Sequence, residues 1–227
     1  MPKPRHIIII RHGKSTGNAD KDIYHTVPDY AIQLTDKGIE QIKQAAEALK
    51  PYVPDQVAYY SSAYWRTRQT YMVLRQTLPE WRYYEDVRLR EQEWVTAFGT
   101  IDPEHEEERE KYGHMYYRYL TGESNADVYD RISDFLNTFY RDFHKPDFPS
   151  TAIIVCHGMT MRVFLMRFFH MTVEDFELLA NPYNAEEYVL ELQDDGKYTL
   201  ITTPKLKEKH DHPFQFDWND PRFNPPS

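Results

Sequence analysis

Residues 6–13 read HIIIIRHG. The four consecutive isoleucines form a short β-branched run that is typical of a strand buried on both faces. We therefore predict a strand over His6–Ile10, which ends abruptly at Arg11-His12-Gly13. A second apolar run, Thr151–Cys156, ends in the same way at His157-Gly158. Two strands thus each deliver a His-Gly pair at their carboxyl ends.

The segments between these runs have helical patterns. Thr35 is predicted to cap one helix and Ser124 another, because both precede apolar residues at helical spacing. Ser61 or Ser62 is predicted to cap the helix that carries Arg66. The remaining predicted elements are a strand at Val57–Tyr60, a helix at Thr160–Phe169, and a hairpin of Tyr188–Leu192 with Tyr198–Thr202. Alternating strands and helices predict a three-layer α/β/α sandwich with a mostly parallel central sheet.

The chain is expected to form one domain over residues 1–204, followed by an irregular tail at 205–227. The composition changes at about residues 96–123, where a charged run, Glu104–Lys111, precedes an aromatic run, Tyr112–Leu120. We interpret this segment as a helical insertion over the active site. Its tyrosines either line the mouth of the pocket or pack the insertion against the domain, and the sequence leaves both open.

Composition narrows the class of protein. The net charge of -9 disfavours binding to nucleic acid or to anionic membranes, unless one face is locally basic. The single cysteine, Cys156, excludes an internal disulfide. The apolar run near the N-terminus is too short for a signal peptide or a membrane span, so we expect a cytoplasmic protein without membrane insertion. An oligomer is possible, although nothing in the sequence supports one.

The two strand ends are predicted to form a cationic pocket. Ligands of parallel α/β sheets bind beyond the carboxyl ends of the strands, where His12 and His157 are expected. Arg11 precedes His12, and Arg66 lies near the start of a helix that follows a third strand. If an acidic protein binds phosphate, some of its arginines must converge, and these two are the candidates.

Such a pocket suits phosphoryl transfer. Arginine pairs bidentately with phosphate oxygens, and a neutral imidazole can act as the nucleophile. Ser15 and Asn18 are within reach as hydrogen-bond donors to phosphate, and Gly13 is expected to let the backbone approach a ligand closely. Nearby arginines should lower the pKa of His12 and keep it unprotonated.

The chain resembles the histidine phosphatase, or phosphoglycerate mutase-like, superfamily, and within it the small broad-range phosphatases of plants and fungi. The similarity runs from about Ile7 to Leu165. It is carried by RHGKSTGN (11–18), LTDKG (34–38), SSAYWRTRQT (61–70), LRE (89–91), GES (122–124) and VCHG (155–158).

The resemblance implies a role for each matched residue. His12 would accept the phosphoryl group as a phosphohistidine. The side chains that would hold this group are Arg11, Arg66 and His157, with help from Asn18. Glu91 would donate a proton to the leaving oxygen and later activate water, and Glu93 is the alternative acid. The resemblance implies neither a metal nor another cofactor, and His210-Asp211-His212 in the tail is a weak candidate metal site.

Three residues depart from the family pattern. Lys14 replaces a common Gln or Glu, and it either favours a more anionic substrate or points to water. Ala63 replaces a proline before Arg66, and Cys156 replaces a serine and is expected to be inert and buried.

Three functions remain in competition. A phosphatase would hydrolyse phosphate monoesters of small molecules, a mutase would return the phosphoryl group to its substrate, and a binding module would do neither. The insertion is acidic, because its acidic residues outnumber its basic ones. The basic residues are Arg109, Lys111 and Arg118, and the acidic residues are Asp102, Glu104, Glu106, Glu107, Glu108, Glu110 and Glu123. This charge favours expulsion of an anionic product, so a phosphatase acting on a small-molecule phosphate ester is the predicted function.

Overall fold

The computed structural model describes residues 3–94 and 103–207. In this part of the chain, one sheet holds six strands in the order β3-β2-β4-β1-β5-β6. Strands β1 to β4 are parallel to one another, whereas β5 runs antiparallel to β1 and β6. The strands are β1 (His6–Arg11), β2 (Val57–Ser61), β3 (Glu80–Glu85), β4 (Thr151–Cys156), β5 (Glu187–Leu192) and β6 (Tyr198–Leu200). The mostly parallel sheet is confirmed.

Helices cover both faces of the sheet. Because side chains alternate along a strand, Ile8 and Ile10 pack with α2 and α3, while Ile7 and Ile9 pack with α5 and α6. All four isoleucines are fully buried, which confirms the α/β/α sandwich. The helices are α1 (Thr16–Ala19), α2 (Asp36–Leu49), α3 (Trp65–Leu74), α4 (Pro103–Tyr112), α5 (Asn125–Asp142), α6 (Gly158–Phe169) and α7 (Val173–Leu178).

Two of the three predicted helix caps are correct. The Thr35 and Ser124 hydroxyls accept hydrogen bonds from the first turns of α2 and α5. The predicted cap of α3 is wrong: Tyr64 is the N-cap residue and makes no side-chain capping bond. Ser61 is instead the last residue of β2. The Ser62 hydroxyl forms a hydrogen bond with the His157 ring.

The insertion contains one helix and an aromatic contact with the domain. Helix α4 confirms the helical prediction, and residues 95–102 lie outside the described part of the chain. Tyr119 is buried beside Trp94, which favours packing against the domain, whereas Tyr112 and Tyr116 remain exposed. Glu123, grouped above with the acidic insertion, is buried and paired with arginines.

The segment that follows the sheet returns to the domain. A short bridge joins Leu206 to Leu179, and the backbone N–H of Lys207 donates to the Leu178 carbonyl oxygen at 2.8 Å. The histidines of His210-Asp211-His212 lie outside the described residues. Among the helices that the structure describes, none is long and apolar enough to cross a membrane.

Candidate active site

The register of two central strands brings the two histidines together. Arg11 of β1 lies opposite Cys156 of β4, so the next residue of each strand, His12 and His157, emerges at the same edge. Their ring centroids are 5.3 Å apart, and both side chains are almost completely buried. The predicted pairing of the two His-Gly turns is therefore present in the structure.

The hydrogen bond of His12 fixes its tautomer. Its Nδ1 lies 2.8 Å from the carbonyl oxygen of Gly13, which can only accept, so Nδ1 carries the proton and Nε2 keeps its lone pair. Burial first, and then the charges of Arg66 and Arg11, hold the pKa of His12 well below its ordinary value of 6.5. The residue is a neutral imidazole with one nitrogen available for attack.

His157 is neutral for similar reasons. Burial is the largest cause that lowers its pKa well below 6.5, followed by the charge of Arg66. Its Nε2 lies 2.9 Å from the Ser62 hydroxyl, and its buried Nδ1 has no hydrogen-bond partner among the described residues. The Tyr64 ring packs against the imidazole in a T-shaped arrangement at a centroid distance of 5.1 Å.

The two predicted arginines converge on this pair. Arg11 donates from Nη1 to the Pro182 carbonyl oxygen at 2.5 Å. Burial lowers its pKa, the charge of Glu91 opposes that shift, and the charge of Arg66 adds to it. Arg66 is 3% exposed, and its guanidinium lies 4.8 Å from the centre of the Tyr64 ring. The expected concentration of positive charge in one pocket is confirmed.

Asn18 is oriented by a capping box at the start of α1. Its Oδ1 accepts from the Ser15 backbone N–H at 3.2 Å, from the Ser15 hydroxyl at 3.0 Å, and from Nδ2 of Asn184 at 2.9 Å. Because these donors occupy the amide oxygen, the Nδ2 group of Asn18 is the part left to donate to a ligand. The prediction that Ser15 donates to phosphate is wrong, since its hydroxyl is buried in the cap.

The glycine after His12 serves packing within the protein. A Cβ atom on Gly13 would lie 2.4 Å from the carbonyl oxygen of Gly38 in α2, and one on Gly38 would lie 2.2 Å from that of Lys14. Thr35 completes this contact, because its backbone N–H and its hydroxyl both donate to the Lys14 carbonyl oxygen. We expected Gly13 to let a ligand approach the backbone closely. In the structure, it is helix α2 that approaches this glycine.

Glu91 lies at the N-terminus of α6. Its carboxylate accepts from the backbone N–H groups of Met159 and Thr160, each at 3.3 Å. Its carbonyl oxygen accepts from Nη2 of Arg131 at 3.2 Å, and its charge acts on Arg11. Glu93, the alternative acid, is exposed.

Sequence reasoning missed several residues that hold this pocket together. Asn184 comes from the loop before β5, and Asp29 comes from the segment between α1 and α2. Ser62, one of the two predicted caps of α3, contacts His157 instead, and Arg131 of α5 donates to the Glu91 carbonyl oxygen. These residues are distant in sequence from their partners, so no local pattern could have indicated the contacts. No group of residues suited to a metal ion occurs in the described part of the chain.

Comparisons with known proteins identify relatives of this chain. The model of the histidine phosphatase superfamily (branch 1) matches residues 7–221. Phosphoglycerate mutase-like protein AT74 of Arabidopsis thaliana is 39% identical over 218 residues, which cover 87% of this chain and 68% of that protein. Broad-range acid phosphatase DET1 of Saccharomyces cerevisiae is 25% identical over 301 residues, covering 88% of this chain and 89% of that protein.

Solved structures show the same fold. A mycobacterial glucosyl-3-phosphoglycerate phosphatase in complex with VO3 superposes with a TM-score of 0.71 and 20% identity, covering 88% of this chain and 99% of that one. A second structure, Mycobacterial hydrolase 1, gives a TM-score of 0.72 with 19% identity and covers 90% of this chain and all of that one.

Proposed function

Because this chain belongs to the histidine phosphatase superfamily (branch 1), we propose that it hydrolyses small-molecule phosphate monoesters through a phosphohistidine on His12. The chain is a phosphoric monoester hydrolase; the intermediate and the residue roles are the proposal. The observation that carries it is the neutral His12 ring, whose Nδ1 is held by Gly13 while two arginines flank it.

The first step forms the phosphohistidine. Nε2 of His12 attacks phosphorus as the bond to the alcohol oxygen breaks. Arg11, Arg66, His157 and the Nδ2 group of Asn18 hold the phosphoryl oxygens. The imidazole gains positive charge on phosphorylation, and the Gly13 carbonyl oxygen stabilises that charge through the Nδ1 proton.

Glu91 is the proposed acid and base. It gives its proton to the departing alkoxide, so the alcohol leaves neutral. It then takes a proton from water, whose oxygen attacks phosphorus and releases His12 and inorganic phosphate. In the structure the carboxylate accepts hydrogen bonds from two backbone N–H groups at the start of α6, which hold it in position for both transfers.

The charge of the insertion supports hydrolysis rather than the mutase reaction, in which the phosphoryl group returns to the substrate. The exposed side chains described in α4 include Glu107, Glu110 and Lys111, and this mixture of charges does not favour retention of an anionic intermediate. The relatives include both an acid phosphatase and phosphoglycerate mutase-like proteins, so a mutase remains the second candidate.

One experiment tests the nucleophile and separates the two candidates. Purified protein is assayed with p-nitrophenyl phosphate, 2-phosphoglycerate and 3-phosphoglycerate, and both free phosphate and isomer are measured. We expect free phosphate without isomer, and complete loss of turnover in His12→Gln. His144→Gln, which alters an exposed histidine, is the matched control and should keep full activity. Isomer formation would favour the mutase, and retained turnover in His12→Gln would refute the nucleophile.

A further inference from the structure

Arg66, which we assign to the phosphoryl group, already has an anionic partner. Its Nη1 donates to the carboxylate oxygen Oδ1 of Asp29 at 2.8 Å and to the Asp29 carbonyl oxygen at 2.7 Å. Asp29 begins a single 3-10 turn, Asp29–Ala31, in the segment between α1 and α2. Among the described residues, it is the one carboxylate that forms an ion pair with Arg66.

The contact uses one end of the guanidinium and leaves the other. Elsewhere in this chain, Arg68 and Arg131 each bind a carboxylate bidentately, with Nε and Nη2 donating to its two oxygens. In Arg66, neither Nε nor Nη2 has a hydrogen-bond partner within residues 3–94 and 103–207. The fork that suits two oxygens of one anion is therefore open while Asp29 occupies Nη1.

The charge of Asp29 has opposite effects in the empty and the occupied pocket. In the empty pocket it offsets a guanidinium that is almost completely buried next to Arg11, so it stabilises the protein. In the occupied pocket it lies beside a second anion that shares the same arginine, so it repels that anion. A residue that only shapes the loop would affect folding and binding in the same direction.

We propose that Asp29 is a resident counter-anion on Arg66 that weakens phosphate binding and thereby sets substrate affinity and the release of product. This inference rests on the proposed role of Arg66 as a phosphoryl-binding residue. The ligand concerned is the phosphoryl dianion, whether it belongs to the ester or to free inorganic phosphate.

The test removes the charge and keeps the shape. Asp29→Asn retains an oxygen that can accept from Nη1. Asp22→Asn removes an equal charge from an exposed position in the same segment that has no contact with Arg66, and it serves as the control. The inhibition constant of inorganic phosphate, the KM for p-nitrophenyl phosphate and the thermal midpoint without phosphate are measured for both variants and the parent at pH 7.

We expect Asp29→Asn to bind phosphate about three- to tenfold more tightly, which is the range expected for the loss of one partly solvated charge. Its KM and its thermal midpoint should both be lower than those of the parent. Asp22→Asn should match the parent. Unchanged or weaker phosphate binding in Asp29→Asn would overturn the inference and leave the proposed function intact. Failure of the parent itself to bind phosphate would overturn both.

Discussion

At the scale of single residues, protonation of two side chains governs the proposed chemistry. Burial lowers the pKa of His12 well below 6.5, so the nucleophile stays unprotonated into mildly acidic solution. The proposed acid, Glu91, must carry a proton in the same free enzyme, because it protonates the departing alkoxide. Both requirements are met together at acidic pH.

The first prediction concerns this pH profile. We expect kcat/KM for a substrate with a poor leaving group to stay high as the pH falls through 6.5, because His12 is not yet protonated, and to decrease as the pH rises. Glu91→Gln should lower the rate and remove the decrease at high pH. Measurement of kcat/KM from pH 4 to 9 checks both. An acidic limb centred near 6.5 would contradict the assignment of a neutral buried nucleophile.

Single residues also mark the limit of prediction from sequence. Arg11, His12 and His157 could be predicted as site residues, because each of them lies at the end of an apolar run or directly after it. Asp29 and Asn184 could not be named, because their partners lie 37 and 166 residues away in the chain. Such contacts depend on how loops cross the end of the sheet, which local spacing does not encode.

At the scale of elements, the buried strands could be predicted from the sequence, whereas the exposed strand β3 could not. Strands β1 and β4 contain the continuous apolar runs Ile7–Ile10 and Ala152–Cys156, which are buried on both faces. Strand β3 reads EWRYYE and is partly exposed, so its charged residues conceal the pattern of a strand. Missing β3 does not affect the predicted site, because β3 lies at one edge of the sheet, whereas the turns that carry His12 and His157 follow the central strands β1 and β4.

The second prediction concerns the contact between α2 and the His12 turn. In a helix, Gly→Ala normally stabilises by up to about 1 kcal/mol. In Gly38→Ala, however, the new Cβ would lie 2.2 Å from the Lys14 carbonyl oxygen. We therefore expect a net loss of about 1–3 kcal/mol in the free energy of unfolding, and reduced turnover because the His12 turn must move.

Urea unfolding and a phosphatase assay measure these two effects. Lys37→Ala, at the exposed preceding position of the same helix, is the control and should change the free energy of unfolding by less than about 0.5 kcal/mol. If Gly38→Ala were as stable as the parent, the close packing of the two glycine-containing turns would not be a constraint on the fold.

At the scale of the whole molecule, positive charge is gathered in one place against an overall charge of -9. The central sheet makes this possible, because parallel strands deliver Arg11, His12 and His157 to one edge. Arg66 is brought there by the helix that follows β2. Imidazoles beside two guanidinium groups in a buried pocket cannot accept protons easily, so the pocket ties the stability of the protein to pH.

The third prediction follows from that link. Burial and the neighbouring arginines lower the pKa of both His12 and His157 in the folded state, whereas the unfolded chain binds protons normally below about 6.5. The unfolded state then binds more protons, so the free energy of unfolding should fall as the pH drops from 7 to 5. Each histidine contributes at most about 1.4 kcal/mol per pH unit.

Substitution isolates the share of a single histidine in this slope. His157→Gln removes one buried imidazole, so its free energy of unfolding should depend less steeply on pH between 7 and 5, whatever its value at pH 7. His144→Gln removes an exposed imidazole and should leave the slope unchanged. Urea titrations of the parent and both variants at several pH values give the slopes directly. Equal slopes for the parent and His157→Gln would mean that His157 takes up protons as readily in the folded protein as in the unfolded chain, which its burial beside Arg66 does not allow.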